Sequence, residues 1–291
     1  MSLPATHPLP SGAHRSANPP PAARPLPQAQ RLLQRAAVAW CAVAVAGQLI
    51  FAAYVAAFYG GAALQGRWSV WNKVLLHGHV PGDPLGNGVV ALHLLFTVVV
   101  VLGGAFQLAP VSRRRWPRLH RWNGRLYLPA ATVLAAGGLV MVWTRGTVGG
   151  PAQHLAISLN ALVILACAGL AWRDALAGRF DQHRRWALRL WLAVGGVWFF
   201  RIGLMAWLVL NRGPAGFDPE TFRGPFLVFL AFAQFLLPLA VLELYLRVRD
   251  GSRPRAQAVL AAGLVLLTLL TALGIAAASM LMWWPKMALA G

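Results

Sequence analysis

Seven apolar runs, each long enough to carry a helix across about 30 Å of hydrocarbon, divide the chain at 35–59, 88–110, 126–144, 154–172, 187–210, 225–246 and 257–284. A backbone in hydrocarbon must pair its own N–H and C=O groups, and a helix does so within one segment. The expected fold is therefore all-α: a polytopic membrane protein with seven transmembrane helices, of which helices 2–5 form a four-helix bundle. With 58% hydrophobic and only 11% charged residues, the chain lies outside the composition of ordinary soluble domains. The formal charge of +19 would point a soluble protein toward nucleic acid. Here the arginines collect between apolar runs, so no nucleic-acid partner is expected, and loop charge is read as topology and as contact with membrane lipid.

Nineteen Lys and Arg residues fall on the side of the N-terminus and six on the other. This bias predicts a multi-pass protein of the cytoplasmic membrane with its N-terminus inside and its C-terminus outside. Trp116, Trp122, Trp186, Trp283 and Trp284 sit at the ends of runs, where amphipathic rings favour the headgroup region. Residues 1–34, with eight prolines in the first thirty, read as a disordered cytoplasmic tail. The other parts are a first transmembrane helix (35–59), an outer loop (60–87), a histidine-bearing four-helix core (88–210) and two additional transmembrane helices (225–284). Within the outer loop, RWSVWNKVLLH at 67–77 reads as an interfacial helix or an ordered loop. Cys41 and Cys167 fall within apolar runs and are expected to be packing residues.

Histidines supply the chemistry-bearing pattern. Outside the tail and the outer loop, four remain: His93, His120, His154 and His183, one near the start of each of helices 2–5. Alternating chain direction sorts them by depth, His93 and His154 toward the outer surface, His120 and His183 toward the inner. In an up-down-up-down bundle the helices of each pair are diagonal, so each pair can face itself across the centre. Two opposed imidazoles are what a six-coordinate haem takes as axial ligands. The two hairpins also echo each other, HRW at 120–122 and HRRW at 183–186. Gly124 follows His120 on one helical face, and Gly103, Gly104, Gly137, Gly138, Gly195 and Gly196 offer further places for a flat macrocycle or for close helix packing. The alternatives left open are interfacial or packing histidines, a metal site and a proton relay.

LHLLF (92–96), PRLHRWNGRLY (117–127), GGPAQHLAI (149–157) and DQHRRWALR (181–189) together resemble a bacterial family of predicted membrane proteins known only as a domain of unknown function. More remotely, LHRWNG at 119–124 is similar to a Leu-His-x-Trp-x-Gly motif of the di-haem transmembrane cytochrome b family of ascorbate-type reductases. That likeness implies two haem b groups, His93 and His154 holding the outer and His120 and His183 the inner. It implies a possible transmembrane oxidoreductase role, with a quinol, a small molecule or a redox protein as electron donor or acceptor. The seventh helix and the missing ascorbate-site motif depart from that family.

Arg201 lies 18 residues beyond His183, about 27 Å along a helix, at the outer haem level. It reads as a propionate partner or as a snorkelling end residue; Arg121 and Arg125 are the inner candidates. Glu243 is expected to pair with Arg247 at i,i+4. His77, His79 and Asp83 in the outer loop read as a solvated loop or a metal site. The reading opposed to haem is a cofactor-free membrane protein, a transporter or a structural or assembly partner; helices 2–5 carry no carboxylate in their apolar parts, which weighs against a proton relay.

Overall fold

The computed structural model describes residues 27–288, and the expectation for the first 26 residues lies outside them. Among the described residues the architecture is all-helical. Six helices are long and apolar enough to cross a membrane, and a seventh span is bent: α1 (Gln28–Leu64), α2 (Pro84–Leu108), α3 (Pro117–Thr144), α4 (Gly150–Leu176), the broken pair α5 (Phe180–Val194) and α6 (Gly196–Leu210), α7 (Pro225–Arg249) and α8 (Pro254–Met287). The helices begin where the sequence stops them from beginning earlier. Proline occupies the first turn of α2, α3, α4, α7 and α8, where its missing N–H costs nothing. At α2 the Asp83 carboxylate also accepts from the Gly86 N–H at 2.9 Å, a side-chain cap.

Several spans exceed their sequence expectation. The first begins at Gln28 rather than 35 and runs to Leu64, so that residues 28–34 belong to a helix and not to a tail. Polar and basic residues such as Gln30 and Arg31 continue the helix beyond the hydrocarbon, which an apolar window does not register. Both α1 and α8 pass through a π-helical turn near their C-terminal ends, at Ala56–Gly60 and Ser279–Trp283. The stretch expected at 67–77 is a 3-10 helix over Trp68–Lys73. It is pinned to the bundle, because Trp71 is buried and its Nε1 donates to the Tyr59 carbonyl at 3.1 Å.

Helices α2 to α5 pack in chain order, α2 on α3, α3 on α4 and α4 on α5, while α1 and α8 pack on each other and flank the core through α2 and α6. Small residues let α3, α4 and α5 approach closely: Ala130, Ala131, Ala135, Ala161, Ala168, Ala171 and Ala193 all lie in one buried cluster with Tyr127, Leu134 and Leu190. This is packing by close contact rather than by bulk apolarity, as expected where the solvent is itself hydrocarbon. Trp116, Trp122 and Trp284 are at least half exposed, in keeping with interfacial rings, but Trp283 is wholly buried against Phe51 and Tyr54 and is a core residue. Cys41 and Cys167 are free thiols.

Candidate functional site: four tethered histidines

Each of the four histidines ends a stripe of residues that faces the shared core. On α2 the stripe is His93, Phe96, Val100, Gly103; on α3 it is His120, Tyr127, Ala131, Leu134. On α4 it runs His154, Ala161, Ile164, Ala168, Ala171, and on α5 His183, Trp186, Leu190. The three-and-four spacing puts each set on one helical face.

A common geometry follows at the rings. His93 Nδ1 lies 3.1 Å from the Leu134 carbonyl of α3. His183 Nδ1 lies 2.8 Å from the Ala171 carbonyl of α4, and His154 Nδ1 lies 2.8 Å from the Gly150 carbonyl one turn earlier. A carbonyl oxygen only accepts, so each of these Nδ1 atoms carries the proton. His120 Nδ1 faces Ser112 Oγ at 3.2 Å, and that hydroxyl already donates to the Ala109 carbonyl at 2.8 Å; its free lone pair therefore takes the His120 proton. All four imidazoles are thus fixed in the tautomer that leaves Nε2 with an unshared pair, and no hydrogen bond within the described residues reaches any of the four Nε2 atoms. Tethering one ring nitrogen to orient the other is how proteins prepare imidazole ligands.

The backbone serves this arrangement. Gly149 and Gly150 carry φ of 91° and 69°, a left-handed pair that residues with a side chain adopt poorly. Together they turn the chain into α4 and aim the Gly150 carbonyl at His154. Gly137 and Gly138 leave the wall of α3 open beside the His93 ring: a Cβ at Gly138 would stand 3.2 Å from its Cε1. The other glycines hold protein side chains and not an open cradle. Gly103 and Gly104 are covered by Asn123, Tyr127 and Trp191, Gly124 by Gln107, Gly195 by Gln48 and Phe199, and Gly196 by Asn160.

The two pairs differ. His120 and His183 lie within electrostatic range of each other, with Arg113 and Arg121 close to His120. The structure does not bring His93 and His154 together in that way. His93 rests on Leu134, Gly137 and Gly138 of α3, while the His154 ring packs edge-on against Trp143, at 5.8 Å between centroids. Trp143 is nine residues beyond Leu134 on α3 and 68% exposed.

Arg201 donates to the Val197 carbonyl of its own helix at 3.2 Å and lies over the Phe51 ring at 5.4 Å. Its field reaches His93, Tyr54, Tyr59 and Lys286. Arg125 stacks on Trp122 at 5.3 Å, and Arg121 is exposed. Glu243 does not pair with Arg247: its carboxylate accepts from Arg189 of α5 at 2.7 Å, because the short gap between α5 and α7 offers a cross-helix partner with better geometry. In the outer loop Asp83 binds Arg145 at 2.6 Å and His77 Nδ1 faces the Arg145 carbonyl at 3.0 Å. Among the described residues no three of His, Cys, Asp or Glu come together as a metal site would require.

Sequence reasoning missed a second polar group, the buried amides Gln48, Asn160 and Gln234 around the break between α5 and α6. Their signal was present in uncharged polar residues at the middle of apolar runs, which a search for charges passes over. The sequence profile of a family described as predicted membrane protein (DUF2306) matches residues 90–245, which contain all four histidines. No curated protein and no solved structure matches the chain, and nothing in these comparisons ties it to the di-haem cytochromes b.

Proposed function

The chain belongs to the predicted membrane protein family DUF2306, and from that footing we propose that it is a b-type haem protein of the cytoplasmic membrane that transfers electrons. The observation that carries this reading is the shared state of four imidazoles, each tied at Nδ1 and open at Nε2. The inner pair, His120 and His183, fits a pair of haem ligands best, since the two imidazoles lie within electrostatic range of each other on helices that an up-down-up-down bundle would set diagonally. Arg113 and Arg121 beside it are the residues suited to haem propionates, because guanidinium binds carboxylate through two parallel bonds. His93 and His154, which do not approach each other in the same way, would be the outer set that the resemblance implies, with Arg201 as its cation. A bis-histidine haem would supply one-electron chemistry with no open iron position for oxygen. The protein's own share is to hold the imidazoles in one tautomer, exclude water through the packed alanines of α3 and α4, and neutralise propionates. Quinol, a small soluble reductant or a redox protein would meet it at either surface. The N-terminus and the arginine-rich turns lie inside, by the excess of cationic residues there.

A second reading, a cofactor-free transporter or assembly partner, is supported by different observations: a 52° break in the fifth span and core glycines already covered by side chains. A dithionite-reduced minus air-oxidised spectrum of detergent-purified protein, expressed with ample haem, separates the two. Sharp low-spin bands at about two haems per chain support both pairs. One haem per chain, lost in His120→Ala and in His183→Ala but kept in His154→Ala, supports the inner pair alone. Absence of Soret absorbance overturns the haem reading in favour of the second.

A further inference from the structure

The fifth span is interrupted at Gly195, midway between Phe180 and Leu210, and bends there by 52°. A break in a membrane helix strands backbone carbonyls in hydrocarbon, which is tolerated only where something in the protein meets them. One of them, the Ala193 carbonyl, accepts from Asn160 Nδ2 of α4 at 3.0 Å. That bond settles the orientation of the Asn160 amide: Oδ1 must point away from Ala193. Asn160 is 7% exposed and its Oδ1 is buried without a partner among the described residues.

Gln234 of α7 repeats the arrangement from the other side. Its Nε2 donates to the Ala231 carbonyl at 2.6 Å, which turns Oε1 outward; the residue is 2% exposed and Oε1 likewise has no partner among the described residues. Both amides converge on Gly196. A Cβ there would lie 2.7 Å from Asn160 Nδ2 and 3.8 Å from Gln234 Oε1, so glycine keeps the space between them. The α7 backbone also loses a donor at Gln234. Pro238 lies inside that helix and, having no N–H, removes the helical donor of the carbonyl four residues earlier, that of Gln234. Gln48 of α1 closes the group, its Nε2 standing 3.1 Å from the Cβ position of Gly195.

Helices α1, α4 and α7 therefore direct uncharged polar side chains at one break, and the unmet atoms of these amides are oxygens, while the indole N–H groups of Trp191 and Trp198 beside the break are also buried without a partner among the described residues. Oxygen donors without a carboxylate suit a cation of single charge, since hard divalent ions call for anionic ligands. Unwound carbonyls of broken membrane helices are the setting in which such ions are coordinated. We propose that the break at Gly195 and Gly196 is a binding site for a dehydrated alkali-metal cation, coordinated by Asn160 Oδ1, Gln234 Oε1 and backbone carbonyls. The site is separate from the histidines and does not depend on haem.

The test is thermal unfolding of the detergent-purified full chain, followed by tryptophan fluorescence in sodium, potassium, lithium or choline chloride at equal ionic strength. Trp191 and Trp198 flank the break and report on it. A melting temperature that climbs with sodium or potassium, by roughly 2–5 °C for each tenfold rise above the dissociation constant, and stays flat in choline is the expected result. Gln234→Leu should abolish the dependence. Asn160→Asp, which adds a charge at the ligand, should move the midpoint to lower cation concentration, and this variant keeps the test decisive if the leucine variant does not fold. Equal melting temperatures in all four salts, or a dependence that Asn160→Asp leaves unmoved, overturns the proposal in favour of a buried water bridging the two amides.

Discussion

At the residue scale, single buried polar groups tie distant parts of the chain and account for much of its geometry. Arg145 follows α3 and is 8% exposed, yet its guanidinium binds Asp83 at 2.6 Å, Asn87 at 3.1 Å and the His77 carbonyl at 2.6 Å. It locks the outer loop onto the start of α2. Removing Arg145 strips three acceptors of their donor at once, whereas neutralising Asp83 leaves the guanidinium its bonds to Asn87 and the His77 carbonyl, and the 43% exposure of the Asp83 side chain lets water share the load. Arg145→Ala should therefore destabilise by about 2–3 kcal/mol and Asp83→Asn by less, read as a drop in melting temperature and faster proteolysis of the outer loop. Asp174 does local work instead, holding the turn between α4 and α5, its Oδ1 accepting from Arg179 at 2.5 Å and from Arg173 at 3.1 Å while its own side chain is 1% exposed. Histidine positions were legible in the sequence because their spacing follows the helix order. Their tautomers were not, since the carbonyls of Leu134 and Ala171 reach them from other helices.

At the element scale, helix contacts decide which glycines matter. A Cβ on Gly274 of α8 would strike the Ile202 carbonyl of α6, whereas one on Gly263 of the same helix meets nothing within 4 Å. Backbone cannot swing aside as a side chain does. Gly274→Ala should lower stability by about 1–3 kcal/mol through separation of α6 and α8, and Gly263→Ala should stay within about 0.5 kcal/mol of the parent, both measured by thermal unfolding in the same detergent. Equal effects at the two positions would place the close approach elsewhere. The bent fifth span carries the same lesson. Gly195 and Gly196 stood in the sequence as two small residues of an apolar run, and only the neighbours Gln48, Asn160 and Gln234 give the break its chemistry. The unexpected pairing of Glu243 with Arg189 has a similar origin. An i,i+4 rule applies to an isolated helix, and a helix packed on another has more partners to choose from.

At the scale of the whole molecule, the excess of arginine on one side sets how the bundle inserts. Single cysteines placed at Gly178 and at Gly213, in a background with Cys41 and Cys167 replaced by alanine, should label in opposite compartments: Gly213 in intact cells with an impermeant maleimide, Gly178 only after permeabilisation. Labelling of both from outside would reject the assigned orientation. The flanking helices α1 and α8 also acquire a place they lacked in the sequence. Phe51, Tyr54, Phe58 and Trp283 form a buried aromatic cluster between them, and Arg201 of α6 leans on it.

The sequence by itself determined the helical class, the rough bounds of the apolar runs and the placing of one histidine on each of four successive runs. These follow from local quantities: run length against bilayer thickness, side-chain period and charge between runs. Tertiary structure alone decided which histidine rings approach one another, which glycines are filled, where the fifth span breaks and which carboxylate meets which arginine. Each of these depends on which faces of different helices touch, and residues far apart in the chain settle that together.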